Sequence, residues 1–287
     1  MFLKSVLNKV FIVALSLNAL SCAQVKKNMD EENEEVLQIK GYKGFEGTVF
    51  AALHADFEPS GIAKDKKTGN IFVVSDHGEV ALLSPTGTLI NTWKIGGDLE
   101  GVTTVDGIDG TAFILDEKKD KLLQFSVSRG RVVNKFELED PSDPTILGAE
   151  SLTYIKNEKA TSGGYFVVGS QESGEVLLFD IPVSQGGSDI EATFVSRHKI
   201  SNDYEDLAGL YHDEGKGKIY AVFDNEDVMV VLNSTDFSVS ETHKLPGDHQ
   251  EGILVDGCNV YLAEDKHAKV IVFPIKTLGF EFTNDCQ

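Results

Sequence analysis

A five-bladed β-propeller of four-stranded antiparallel blades, its ring closed by an N-terminal strand, is the all-β fold this sequence predicts, and three observations predict it. A unit made of an acidic residue, a small residue, a short apolar run, a turn and a second apolar run occurs five times. Two further β-rich runs follow that unit in the first four copies, whereas the fifth copy stops after one. Residues 36–53 hold two strand-like runs, VLQIKG and GTVFAAL, that belong to no copy.

Self-similarity at a spacing of about 40 to 58 residues marks supersecondary units that bury their faces only against their neighbours. The copies align on Gly61, Gly101, Ser151, Gly209 and Gly252. They align again on Phe72, Phe113, Phe166, Tyr220 and Tyr261, and four residues later stand Asp76, Glu117, Ser170, Asp224 and Asp265. The third runs are EVALLSP (79–85), KLLQFSV (121–127), EVLLFDIP (175–182), VMVVLNS (228–234) and KVIVFPI (269–275), β-rich and bounded by turn formers. The fourth runs, LINTWKI (89–95), VVNKFEL (132–138), EATFVSRHKI (191–200) and VSETHKL (239–245), are more polar, as edge strands facing water should be. Four antiparallel strands make a propeller blade. The fifth blade lacks its outer strand, and one of the two spare N-terminal runs can supply it and leave no open edge. No amphipathic helix of any length is visible.

Residues 1–21 read as a secretory signal peptide, with Lys4 and Lys9 ahead of the apolar run VFIVALSLNAL (10–20), which is short for a membrane span. It ends in Ala19-Leu20-Ser21-Cys22, which resembles the lipobox of bacterial lipoproteins, although Ala19 stands where that motif more often has Leu. The resemblance implies acylation of Cys22 and a membrane partner through an N-terminal lipid anchor, at the outer membrane or periplasmic face because no Asp follows Cys22. Residues 22–35 are polar and acidic and read as a flexible tether, which leaves 36–287 as one propeller domain. Cys258 and Cys286 could pair in an oxidising compartment. Against pairing stand the tight DGCN turn around Cys258 and the place of Cys286 beside the C-terminus.

The chain has 26 basic and 46 acidic residues, a net charge of −20. Clustered Lys and Arg are what phosphate backbones require, so nucleic acid is excluded as a partner. The same imbalance suits a solvated acidic surface or affinity for cations.

The candidate site follows from the register of the units. The position before the aligned small residue holds Ser60, Glu100, Glu150, Ala208 and Glu251, and the two units without Glu there have Glu58 and Asp206 two residues earlier. The first strand of each blade lines the central channel, so Glu100, Glu150 and Glu251 should face one another. At ~5 Å and an effective dielectric of ~20, each like-charge pair costs ~3 kcal/mol. A cation, shared protons or wide separation must relieve that repulsion. A hard divalent cation with oxygen ligands, calcium, fits carboxylates best, whereas zinc would want Cys or His. His54, His77, His249 and His267 share no register and read as solvated loop residues. Most of the acids after the second strands read as turn formers, with Asp76 and Asp224 expected to reach the channel mouth. No nucleophile elbow, zincin, phosphate-binding or EF-hand motif is present.

The succession E-P-S-G, L-E-G, A-E-S, L-A-G and Q-E-G, each followed by an aromatic second strand and the last by VYLAED, resembles the SdiA-regulated family of bacterial exported proteins over roughly residues 36–275. That resemblance implies a five-bladed propeller, distantly like NHL-repeat proteins, with calcium in the channel. Glu100, Glu150 and Glu251 match the family's Glu-Gly positions. Asp206-Leu-Ala-Gly209 stands where the family more often has Asp-x-Ser-Gly, and Ser151 replaces a glycine. The expected function is a calcium-binding exported lipoprotein acting as a binding or interaction module, with Asp206 or Glu58 as further ligands. A metal-dependent lactonase- or phosphoesterase-like hydrolase using the same carboxylates is the alternative, and a structural scaffold comes third.

Overall fold

The computed structural model describes residues 47–139, 148–187, 190–246 and 249–279. The signal peptide, Cys22, the acidic tether, the VLQIKG run and Cys286 lie outside the described residues. Strand β1 (Thr48–Ala52) precedes the blades. Blade 1 is β2 (Pro59–Lys64), β3 (Ile71–Ser75), β4 (Glu79–Leu83) and β5 (Leu89–Lys94). Blade 2 is β6 (Leu99–Thr103), β7 (Thr111–Asp116), β8 (Lys121–Ser126) and β9 (Arg131–Glu137). Blade 3 is β10 (Ala149–Lys156), β11 (Gly164–Ser170), β12 (Glu175–Asp180) and, after the short β13 (Ile190–Glu191), β14 (Thr193–Lys199). Blade 4 is β15 (Leu207–Asp213), β16 (Lys218–Phe223), β17 (Val228–Asn233) and β18 (Val239–Lys244). Blade 5 is β19 (Gln250–Asp256), β20 (Asn259–Glu264) and β21 (Lys269–Pro274).

The outer strand of blade 5 is β1, paired antiparallel with β21. Of the two spare N-terminal runs, GTVFAAL therefore closes the ring. Phe50 meets Tyr261 edge-on at 4.9 Å, and Leu53 N–H donates to the Ala268 carbonyl at 2.9 Å. Blade 2 gains a fifth strand, because β13 leaves blade 3 and pairs in parallel with β9. Among the described residues there is no α-helix, only three short 3-10 turns.

The two middle strands of a blade are covered on both faces, which is why they are apolar throughout rather than alternating. Every residue of β3, IFVVS, is buried, whereas β5, LINTWK, is largely exposed. The hydrophobic core is accordingly split into five clusters, one at each blade interface. Between blades 2 and 3, Phe113 and Phe166 approach with centroids 5.1 Å apart.

Phe166 is also where the alignment of the units needs correction. Phe72, Phe113, Tyr220 and Tyr261 each face the following blade. Phe166 instead faces blade 2, behind it, and Val167 is the residue that faces blade 4. The pairing agrees: Phe72 stands opposite Ala63, two residues past Gly61, and Val167 stands opposite Thr153, two residues past Ser151. The third unit is shifted by one residue, so Gln171 rather than Ser170 is the counterpart of Asp76. Cys258, in the turn between β19 and β20, is disulfide-bonded, which removes the objection drawn from that turn.

Candidate functional site

Each inner strand carries one extra residue at the same place. In β2, Pro59 pairs with Ser75 and Gly61 with Val74, which leaves Ser60 unmatched. The same step leaves Glu150 unmatched in β10, Ala208 in β15 and Glu251 in β19. In β6 it falls on the Glu100–Gly101 pair, between Leu99 opposite Asp116 and Val102 opposite Ile114. A bulge re-aims its unpaired side chain and bends the strand. Five bulges in one register therefore present Ser60, Glu100, Glu150, Ala208 and Glu251 at one end of the channel.

The small residue that follows each bulge is set by how closely the inner strands meet. A Cβ on Gly61 would lie 2.6 Å from the Glu100 carbonyl oxygen, and one on Gly101 would lie 2.4 Å from the Leu152 nitrogen. The free space at this waist is about 10 Å³, room for no more than about one water, so the channel narrows there between two wider mouths. Ser151 fits because its hydroxyl occupies the place a side chain would take at Gly169, and it donates to the Leu207 carbonyl at 2.7 Å.

The second strands end at the same mouth. Backbone N–H groups of Glu117, Asp224 and Asp265 donate to the carbonyls of Asp98, Asp206 and His249, three residues before each aligned small residue. Gln171 makes the corresponding bond to Gly148. A recurring main-chain bond thus ties the end of each second strand in blades 2 to 5 to the entry of the first. Asp206 and His249 take positive φ there, 64° each, and Gly148 takes 61°.

These elements gather carboxylates with few cations among them. Burial first, then the charges of Asp76, Glu150 and Glu251, push the Glu100 carboxyl up to about 11. Burial, then Glu251, Asp206 and Glu117, push Glu150 up to about 9. Burial, then Asp224 and Asp206, push Glu251 up to about 8. Asp76 rises to about 6 through burial and the charges of Asp265, Glu58 and Asp98, against a backbone hydrogen bond that lowers it. Burial raises Asp206 against a hydrogen bond from Gln171, and raises Asp224 against the Gln250 N–H that donates to it at 2.7 Å. Asp76 and Asp224 reach the mouth, and so, beyond their expected turn-forming role, do Glu117 and Asp265, which act on Glu150 and Glu251. Some of these acids have basic neighbours: Glu58 meets His77 at 3.3 Å, Asp98 meets Lys118 at 2.5 Å, and His249 stands beside Asp224 and Glu251.

Glu100, Glu150 and Glu251 act on one another electrostatically but do not form one tight knot. Among the described residues, ligand atoms converge within 4.8 Å in two groups, Asp98–Glu100–Glu117 and Asp224–His249–Glu251. Glu150 belongs to neither. His249, expected to be a solvated loop residue, is exposed but stands in the register of Glu58, Asp98 and Asp206, which counting three residues back from Gly252 would have found. The donor set suits a hard cation: apart from His249 it is all oxygen, and Glu150 Oε2 is buried without a hydrogen-bond partner.

The fold and this mouth define a five-bladed β-propeller whose channel ends in a carboxylate cup. The model of the SdiA-regulated family matches residues 34–251, and the chain belongs to that family. No curated protein matches the sequence. Among solved structures, the glutaminyl cyclase of Myxococcus xanthus superposes with a TM-score of 0.59 at 12% identity, over 79% of this chain and 94% of that one. A protein of unknown function from Bacteroides caccae gives 0.47 at 14% identity, over 73% and 72%. At 12% identity the likeness to the cyclase is one of fold alone.

Proposed function

We propose that the protein is a calcium-binding exported lipoprotein whose carboxylate mouth holds one divalent cation near the propeller axis and acts as a binding or interaction module. The observation that carries this reading is the set of three glutamates, Glu100 buried and Glu150 and Glu251 half-buried, raised to about 11, 9 and 8 with no Lys or Arg ion-paired to them among the described residues. Groups so placed must either stay protonated at neutral pH or be neutralised by an ion. Glu100, Glu150 and Glu251 would hold the cation. Asp206 would be a further ligand ahead of Glu58, because His77 already engages Glu58. Bound calcium would draw these strands together by charge. Export and anchoring rest on the lipobox-like Ala19–Cys22 sequence.

Thermal melting of the full chain with millimolar calcium and with EDTA tests the metal. Calcium at about 100 times its Kd should stabilise the fold by roughly 2.7 kcal/mol. Glu150→Gln separates an axial ion from one at either lateral group, because Glu150 belongs to neither: an axial ion loses its calcium response in this variant. Identical melting curves in calcium and EDTA, with no metal by elemental analysis, would leave a hydrated acidic channel. Cys22→Ser should end lipid labelling and membrane retention.

A further inference from the structure

The opposite end of the channel carries a second cavity. The inner strands run away from the carboxylates, past the waist, and end around a space of about 280 Å³. Ile62, Val102 and Leu210, just beyond the waist, lie at its floor, but their side chains are packed into the blade interfaces and almost fully buried. Thr153, Tyr154, Tyr211 and His212 make its wall. Its rim is a circuit of alternating charge. Lys66 meets Asp106 at 3.0 Å and Glu214 at 3.3 Å, and Lys156 meets the same two acids at 2.9 and 3.0 Å. These residues come from blades 1, 2, 3 and 4, so the Lys66–Glu214 pair joins blades that are not neighbours and spans the mouth. Lys64 and Asp256, at 2.5 Å, close the gap between blades 1 and 5.

We propose that this cavity binds a free α-amino acid, its two charged groups exchanged into the Lys66–Asp106–Lys156–Glu214 circuit at the rim and its side chain directed into the cavity below. The circuit selects by charge. An inorganic cation meets two lysines and a phosphate meets two carboxylates, so a guest of one sign is repelled by half the rim. A zwitterion replaces each pair it opens: its carboxylate goes to Lys66 and Lys156, its ammonium to Asp106 and Glu214. Opening the circuit is cheap, because its members are between 32% and 57% exposed and such pairs contribute roughly 0–1 kcal/mol each.

The size and wall narrow the choice further. A space of about 280 Å³ has room for a single amino acid. His212 Nδ1 lies 3.0 Å from the Tyr154 carbonyl, which can only accept, so Nδ1 carries the proton. Burial pushes the His212 pKa down, which keeps the ring neutral with Nε2 free to accept. The Tyr211 hydroxyl has no hydrogen-bond partner among the described residues. A donor and an acceptor therefore remain unused in the wall.

Titration calorimetry on the full chain tests this with leucine against two analogues that each lack one charge, leucinamide and 4-methylpentanoate. Leucine should bind saturably, with and without EDTA because the carboxylate mouth is on the other side of the waist, and each analogue should bind at least tenfold more weakly. Lys156→Gln and Asp106→Asn, at exposed positions, should each weaken leucine binding at least tenfold with the melting point retained. Absence of saturable leucine binding, equal binding of either analogue, or unchanged binding in both variants overturns the proposal. None of these outcomes depends on calcium, so failure here leaves the carboxylate-mouth reading intact, and the reverse holds.

Discussion

The Gln171 N–H donates to the Gly148 carbonyl at 2.7 Å, and this is blade 3's copy of the bond by which Asp224 meets Asp206 at 3.2 Å. Gln171 is therefore the one uncharged member of a ring otherwise made of Asp76, Glu117, Asp224 and Asp265. Its side chain also hydrogen-bonds Asp206 and holds that carboxyl down against burial. Gln171→Glu would exchange a donor for a like charge. The variant should melt at a lower temperature than the parent in EDTA and recover more on adding calcium. Equal melting shifts in both conditions would place residue 171 outside the shared field.

The same field sets a pH dependence. The folded-state values of Glu251, Glu150 and Glu100, about 8, 9 and 11, all lie above the ordinary 4.5. Between pH 5 and pH 8 the unfolded chain has released these protons and the folded, metal-free chain retains them. Stability rises with pH only where the unfolded state binds more protons, so here it falls as pH rises. Melting in EDTA should drop steadily from pH 5 to pH 9. Calcium should flatten that decline, and its stabilising effect should grow with pH because it binds the ionised carboxylates.

Blade count, outer strands and the closing strand are legible in the sequence because each depends on local pattern. The aromatic second strands and polar fourth strands recur with their turn formers, and GTVFAAL stands ready beside a blade with no outer strand. The bulge is less legible, since it is a fact of pairing: nothing in Leu99-Glu100-Gly101 says that one residue there has no partner. The slip in blade 3 has a similar origin. Phe166 attracts the alignment because it is aromatic, whereas its counterpart is Val167, and the longer turn KNEKATSGG hides the difference. The second cavity is nearly invisible. Lys66, Asp106, Lys156 and Glu214 sit in segments that read as turn formers, and only the closed ring brings them within ion-pair distance.

The waist gives a prediction free of ligands. At Gly101 an added methyl would stand 2.4 Å from the Leu152 nitrogen and 2.7 Å from the Ser151 carbonyl carbon, both backbone atoms of the next blade. At Gly209 the nearest atoms lie 3.3 Å away. Overpacking typically costs 1–3 kcal/mol and occasionally more. Gly101→Ala should therefore cost on the order of 3 kcal/mol, and Gly209→Ala about 1 kcal/mol or less. Denaturant melts of both variants check the order, and equal losses would mean that the inner strands move apart freely.

Ring closure is the last prediction. β1 is joined to blade 5 without a covalent link within the sheet: its main chain pairs with β21, and Phe50 packs on Tyr261. The free edge of β21 would otherwise present an unpaired row of donors and acceptors and a hydrophobic face to solvent. Two changes separate these contributions. Phe50→Ala keeps the strand and removes one half-buried ring, so it should cost roughly half of the ~3–5 kcal/mol typical of a fully buried Phe and leave unfolding cooperative. Deleting the chain through residue 53 removes the pairing as well, leaves blade 5 with three strands, and should broaden or abolish the cooperative transition and promote association through the β21 edge. A truncated protein with the parent's melting midpoint and a monomeric elution profile would show that the ring holds without its fourth strand, and that the interfaces around Phe113 and Phe166 carry the fold by themselves.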